Sequence, residues 1–441
     1  MLTLHWPKAL LILLIACFCL SHLKAQDTAF ETATFHQAHL HLTDVIVTDI
    51  LSPPVASRVY MYAHVAAYEA LVATTPSASY LSLAGQLRQL SAVPVPPKAL
   101  NSAIASLEAF LVTGRSMIFS EQMFDEKVAK IWLSFQQKGY NSAIVEASRA
   151  YGRQVAEHIL AWSSQDNYKA TRAMRRYAPI KRAGAWLPTP PGYMAAIEPY
   201  WNRIRTLVLD SAAQFKPLPN PPFNTQPSSD FYKLAKEVQQ TGINLTPEQT
   251  LIASFWDCNP FFLNTQGHLN FGTKKLSPGG HWLSIAGQVA TQKQADMLKS
   301  NAAYTLTSIA LFEGFISCWD EKYRSNVIRP ETYINAYIDE KWRPLLQTPP
   351  FPEYTSGHSV ISSAVAVVLT SWFGDNIAFL DATEVPYGLP KRQFQSFNQA
   401  AEEAAISRLY GGIHYRPAIE NGQKQGQQIG EYILKKLRIR K

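Results

Sequence analysis

Apolar side chains recur at three- and four-residue intervals along nine stretches of this 441-residue chain, and that period dictates helices. The stretches cover about residues 56–74, 97–113, 119–137, 141–163, 246–257, 283–318, 357–373, 396–410 and 419–437. Thr246-Pro247-Glu248 adds a helix-start signal, a capping threonine followed by proline at the first helical position. Alternating strand patterns bounded by Asn-Gly or Asp-Gly are missing. The expected fold is therefore all-α, built as helical bundles. Proline-rich connections at 94–98, 187–192, 216–227 and 344–352 separate the helices. The 216–227 stretch divides an N-terminal helical part, 26–228, from a C-terminal helical part, 229–441. Both parts carry apolar faces that need partners, so they are expected to form one continuous unit.

Residues 1–25 read as an export signal. Lys8 precedes an apolar run from Ala9 to Leu20, and Leu23-Lys24-Ala25 offers a cleavage site before Gln26. The run is shorter than the ~20 residues a bilayer-spanning helix needs, and the mature chain holds no span. The protein is thus expected to be exported, periplasmic or secreted. Leu14-Ile15-Ala16-Cys17 also resembles a lipoprotein box, which makes anchoring at Cys17 the lesser option. Removal of Lys8 and Lys24 lowers the formal charge from +8 to +6, scattered without a basic tract, so a nucleic-acid partner is not expected. Of four cysteines only Cys258 and Cys318 remain, and they read equally as one disulfide or as two buried thiols. An oligomer is left open.

The chemistry concentrates in three C-terminal segments. Lys322-x6-Arg329-Pro330 brings two cations together, with Pro330 biasing Arg329 out of helical geometry to a helix–loop junction. The plainer reading is a solvated face paired with Asp320 or Glu321. Ser356-Gly357-His358 follows an extended lead-in and opens an apolar helix, where free N–H groups and the positive dipole end favour an anion. Gly357 lets the backbone approach closely, and His358 sits where it could exchange a proton. The plainer reading is a cap followed by a satisfied histidine. Ser407-Arg408-x5-His414 places two glycines, Gly411 and Gly412, so that a tight turn swings His414 back toward Arg408.

These three segments, in this order, resemble the signature of the vanadium-dependent haloperoxidase and type 2 phosphatidic acid phosphatase superfamily. Only Thr355, where the family usually has proline, departs from it. Ser52-Pro53-Pro54, Tyr62 and Ala67-Tyr68-Glu69 are similar to the helical N-terminal part of bacterial haloperoxidase-like proteins. The resemblance implies an active site in the C-terminal bundle. There Lys322, Arg329, Ser356, Gly357 and Arg408 would bind vanadate, or phosphate in a phosphatase. His414 would be the axial vanadium ligand or the phosphatase nucleophile, His358 the acid/base, and Lys322 the group that polarises peroxide. Trp319 matches an aromatic position of the site and Phe351 one typical of chloroperoxidases. Asp257 would orient Arg408. The long exported chain without spans favours a haloperoxidase acting on hydrogen peroxide and halide. The alternative is a soluble exported acid phosphatase acting on a phosphate ester.

Other features point less clearly. His36-x2-His39-x-His41 lacks a carboxylate or cysteine to complete a metal set and reads as structural or solvent-facing. Gly279-Gly280-His281-Trp282 reads as a turn entering a helix, and the spacing does not show whether His268 and His281 reach the cleft mouth. A non-catalytic exported helical binding protein, with aromatic residues and proline-rich loops as its recognition surface, is the competing class.

Overall fold

The computed structural model describes residues 8–75, 79–266, 269–272 and 274–441, with side chains described from 27 onward except at 264–272. Among the described residues six α-helices build the N-terminal part: α1 (Lys8–Thr48), α2 (Pro53–Thr74), α3 (Ser102–Arg115), α4 (Glu121–Gln137), α5 (Ser142–Ser163) and α6 (Tyr168–Arg172). Eight follow: α7 (Asp230–Ile243), α8 (Pro247–Phe255), α9 (Pro278–Gln292), α10 (Met297–Ser325), α11 (Pro330–Tyr337), α12 (Gly357–Phe373), α13 (Phe397–Tyr410) and α14 (Arg416–Lys436). Two short antiparallel ribbons interrupt them, β1 (Leu263–Gln266) with β2 (Leu269–Gly272) and β3 (Phe379–Asp381) with β4 (Arg392–Phe394). Strands this short carry too few residues for alternation to be read in sequence.

Side-chain caps fix the helix starts. Ser52, Asn101, Asn141, Ser229, Ser277, Asp296, Ser356 and Ser396 each accept a hydrogen bond from a first-turn N–H. Thr246 and Gln249 form a reciprocal capping box. The apolar stretch 283–318 is divided between two helices. Gln294 takes φ 49° and Asp296 caps α10, its carboxylate accepting from Lys299 N–H at 2.7 Å.

One buried core runs from Phe35 on α1 to Ile439 beyond α14, drawing on both sides of residues 216–227. Inside it, α10 packs on α2: Thr305 Oγ1 donates to the His64 carbonyl at 3.2 Å, and Phe312 meets Tyr62 edge-on. Helix α14 lies on α12 through Gly422, Gly426 and Gly430. A Cβ on Gly426 would stand 2.1 Å from the Val360 carbonyl oxygen, so only glycine permits this approach. That contact seats the start of α12, where the candidate site forms. His39 is fully buried against His64 (3.1 Å), and His36 contacts Tyr304 (2.8 Å), so both are packing residues here. No helix among the described residues is long and apolar enough to cross a membrane. The side chains of residues 1–25, on which the export and lipoprotein expectations rest, Cys17 among them, lie outside the described residues, as does His268.

Candidate active site

The last turns of α10 present Trp319 and Lys322. Asn326, in the left-handed region at φ 55°, ends the helix with its N–H on the Lys322 carbonyl. Arg329 is extended (φ −74°, ψ 150°), and Pro330 opens α11 directly after it. The helix–loop placement expected from Pro330 therefore holds, and both cations are fully buried. Their partners are backbone carbonyls rather than surface acids. Lys322 Nζ donates to Pro352 O (3.0 Å), Glu353 O (3.0 Å) and Thr355 O (2.5 Å), which uses all three of its protons. Burial lowers its pKa to about 8. Arg329 donates from Nε to Phe351 O (2.9 Å) and from Nη1 to Ile413 O (2.9 Å), and Nη1 also meets His414 Nε2 (3.2 Å). Its Nη2 is buried without a partner. Burial brings Arg329 down to about 10.

Ser356 caps α12, its Oγ accepting from Ser359 N–H at 3.3 Å, so that hydroxyl serves the helix. The first-turn N–H groups at Gly357 and His358 have no intrahelical acceptors. His358 is half-buried as a residue, but its ring Nε2 is buried and unpartnered while the ring bonds the Trp256 backbone carbonyl. Nδ1 must therefore carry the proton, leaving a lone pair on Nε2. Burial and the Arg408 charge hold His358 well below the usual imidazole value.

Arg408, on α13, donates from Nε to Ser407 Oγ (2.9 Å) and from Nη2 to Trp256 O (2.8 Å). The turn after α13 needs glycine at 412: φ is 75°, and a Cβ there would meet Pro344 at 3.0 Å. Ile413 N–H returns to the Arg408 carbonyl (3.2 Å), which brings His414 alongside as the two glycines suggested. Glu353 Oε1 accepts from His414 Nδ1 (2.9 Å) and from Tyr415 N–H (2.9 Å). This fixes the tautomer: Nδ1 carries the proton, and the Nε2 lone pair, on the cavity side, accepts from Arg329 Nη1. Burial and the Arg329 charge keep His414 neutral, well below its ordinary value.

A cavity of about 40 Å³ opens among Gly357, His358, Arg408, His414, Trp319 and Phe351. It suits a compact ligand and not an extended one. Phe351 lies 4.9 Å from Trp319, with Lys322 and Arg329 each 5.1 Å from its ring. The donor set matches a tetrahedral oxyanion: a guanidinium, a helix start, a neutral histidine lone pair, and the orphaned Arg329 Nη2 behind it. Of the residues singled out in sequence, Gly357, His358, Arg408, His414, Trp319 and Phe351 form the wall. Lys322, Arg329 and Ser356 stand directly behind it.

One expectation is corrected, and of the two readings left open for the cysteines the buried thiols hold. Asp257 lines the cavity, but its carboxylate pairs with Lys275, and it reaches Arg408 only through its charge. Backbone carbonyls orient Arg408 instead. Cys258 and Cys318 are both free thiols, so no disulfide joins them. Cys318 Sγ points to the Thr355 carbonyl at 3.6 Å. Sequence reasoning also missed Glu353. The available signal was a lone carboxylate within the otherwise uncharged run 349–360.

Fold and site together define a helical-bundle protein with a buried oxyanion cradle. A family profile described as "VCPO second helical-bundle domain" matches residues 337–440. The chain is 49% identical to a bacterial vanadium-dependent iodoperoxidase of known structure (TM-score 0.87), with 92% of this chain and 97% of that one covered. It is similar in fold alone to a bacterial vanadium-dependent chloroperoxidase in its holo form (17% identity, TM-score 0.67, 88% and 93% covered). The apo form is comparable (16% identity, TM-score 0.64, 88% and 95% covered). No curated protein matches the chain. The chain belongs to the vanadium-dependent haloperoxidase family.

Proposed function

We propose that this chain is a vanadate-dependent haloperoxidase that oxidises halide with hydrogen peroxide, iodide being the first substrate to test. The observation that carries the reading is the fixed tautomer of His414, whose neutral Nε2 faces a compact cationic cavity of about 40 Å³. A 49% identical iodoperoxidase supports it. Vanadate, when bound, supplies a Lewis-acidic centre that activates peroxide toward halide attack. The residues named above do the rest. His414 Nε2 offers the protein's ligand, held by Glu353. Arg408 and the α12 start neutralise negative charge. Lys322 and Arg329 add positive potential from behind the wall. His358 Nε2, an orphaned lone pair, can accept a proton from hydrogen peroxide and return it to the departing oxygen. Trp319 and Phe351 limit water. Export is part of the proposal, supported by the apolar run from Ala9 to Leu20.

The test is purified apo-protein, with and without orthovanadate, assayed for peroxide-dependent triiodide formation and for phosphate-ester hydrolysis. The expected result is oxidation only with vanadate, and a loss in His358→Ala of about 10²–10⁴-fold. Ester hydrolysis without vanadate-dependent oxidation would replace the reading by a phosphatase. Neither reaction would leave a binding protein.

A further inference from the structure

We propose that Cys258, His281 and Glu384 form a second, separate site that binds one divalent ion of the zinc class. Cys258 follows α8, His281 lies on α9, and Glu384 follows β3, so three distant segments converge. Cys258 Sγ stands 3.5 Å from His281 Nδ1 and 3.9 Å from Glu384 Oε1, and the last two atoms are 3.1 Å apart. All three residues are buried.

The triangle has the dimensions of a coordination site. A point equidistant from the three atoms lies about 2 Å from each, against zinc bonds of roughly 2.0–2.1 Å to nitrogen or oxygen and 2.3 Å to sulfur. The other ring nitrogen supports the same reading. His281 Nε2 lies 2.7 Å from Asp381 Oδ2, a buried carboxylate that also accepts from Thr383 N–H (2.9 Å). That bond takes the Nε2 proton and turns the Nδ1 lone pair toward Cys258 and Glu384, the carboxylate–histidine–metal arrangement. An imidazolium clamped between two carboxylates is the competing state. That is the metal-free form, in which Nδ1 donates to Glu384 Oε1 at 3.1 Å, and the ion takes the place of that proton. Trp256 stacks on the His281 ring at 4.5 Å and fixes its plane.

Thiolate, imidazole and carboxylate together select zinc or cobalt over magnesium or calcium. Binding would form metal–sulfur, metal–nitrogen and metal–oxygen bonds and release the Cys258 thiol proton and the His281 Nδ1 proton to solvent. Three protein ligands leave a fourth position for water. Because Cys258 also lines the oxyanion cavity, the ion would tie that wall to α9 and to the β3–β4 ribbon.

The experiment uses the full chain without vanadate, so its failure is distinguishable from failure of the haloperoxidase reading. Zinc is measured by elemental analysis after dialysis, then exchanged for cobalt(II), whose thiolate bond gives a charge-transfer absorption. About one ion per chain and a thiolate–cobalt band are expected. The band should vanish in Cys258→Ser and survive in Cys318→Ser. Asp381→Asn should weaken binding about 10–100-fold while keeping the band at saturation. Circular dichroism of each variant checks folding, and Glu384→Gln provides a second ligand deletion if Cys258→Ser does not fold. A wild-type chain that neither retains zinc nor shows the band would overturn the proposal. So would a band that persists in Cys258→Ser, or in Glu384→Gln where that variant stands in.

Discussion

Glu353 shows how one buried carboxylate can serve both stability and chemistry. Oε1 holds His414 and the Tyr415 N–H, while Oε2 is buried without a partner. Burial raises its pKa to about 7, against Arg329 and Lys322, which pull it down. The folded state therefore keeps the proton between about pH 4.5 and 7, where the unfolded chain has lost it. Stability from this group is complete below pH 4.5 and falls as pH rises through 7. The shift corresponds to ~3 kcal/mol for this fully buried group. Glu353→Gln keeps an acceptor for both N–H groups and removes the titration. Urea unfolding at pH 5 and pH 8 should show the wild type losing ~3 kcal/mol more than the variant between those values. Equal losses would remove Glu353 as the titrating group. Glu353→Ala should lower vanadate affinity about 10–100-fold, because His414 Nδ1 loses the partner that sets its tautomer. Lys322 has the opposite sense: its pKa near 8 restores stability only as pH rises from about 8 toward its unfolded value.

At the scale of elements, the start of α12 is only as well placed as its contact with α14. Gly426→Ala puts a methyl against the Val360 backbone oxygen, which no rotamer change relieves. The expected cost is about 1–3 kcal/mol in thermal or urea unfolding, with Lys424→Ala on the exposed side within about 0.5 kcal/mol. Activity should fall too, since small displacements of Gly357 and His358 spoil the site's alignment. A stable, fully active Gly426→Ala would mean that α14 does not position the site. These elements were largely legible in sequence, because helix period, proline and capping residues act locally. Helix α12 begins and ends where its apolar run does, at Gly357 and Phe373. What stayed hidden depends on approach in space. The glycine stripe of α14 acquires meaning only opposite Ser359, Val360 and Ser363. The three carbonyls around the Lys322 ammonium, from Pro352, Glu353 and Thr355, are likewise set by a loop that no spacing on α10 reveals. Asp257 was drawn to Lys275 from an adjacent loop, which no spacing rule anticipates.

At the scale of the whole molecule, the largest buried core draws on both halves, so each covers apolar faces of the other. Glu313 on α10 accepts the N–H groups of Leu207 (2.5 Å) and Leu209 (3.1 Å), so the segment leading to the 216–227 connection is bound to the C-terminal part. The chain's last residues return to the N-terminal part: Leu81 N–H donates to Ile439 O at 2.9 Å, and Arg440 Nη2 donates to Tyr80 Oη at 3.1 Å. Stripping away residues 26–228 would expose the face of α10 that carries Tyr304, Phe312 and Phe315, and that helix delivers Lys322. Thermal unfolding of the full chain should therefore be a single transition, coincident by far-ultraviolet circular dichroism and by tryptophan fluorescence. Residues 229–441 expressed alone should give no cooperative transition and no vanadate binding. Two separated transitions, or a C-terminal piece that folds and binds vanadate, would show that the cradle needs only the bundle on which its three motifs lie. The continuous core from Phe35 to Ile439 argues for the first outcome, since no cleavage plane through it leaves either half with its apolar faces covered.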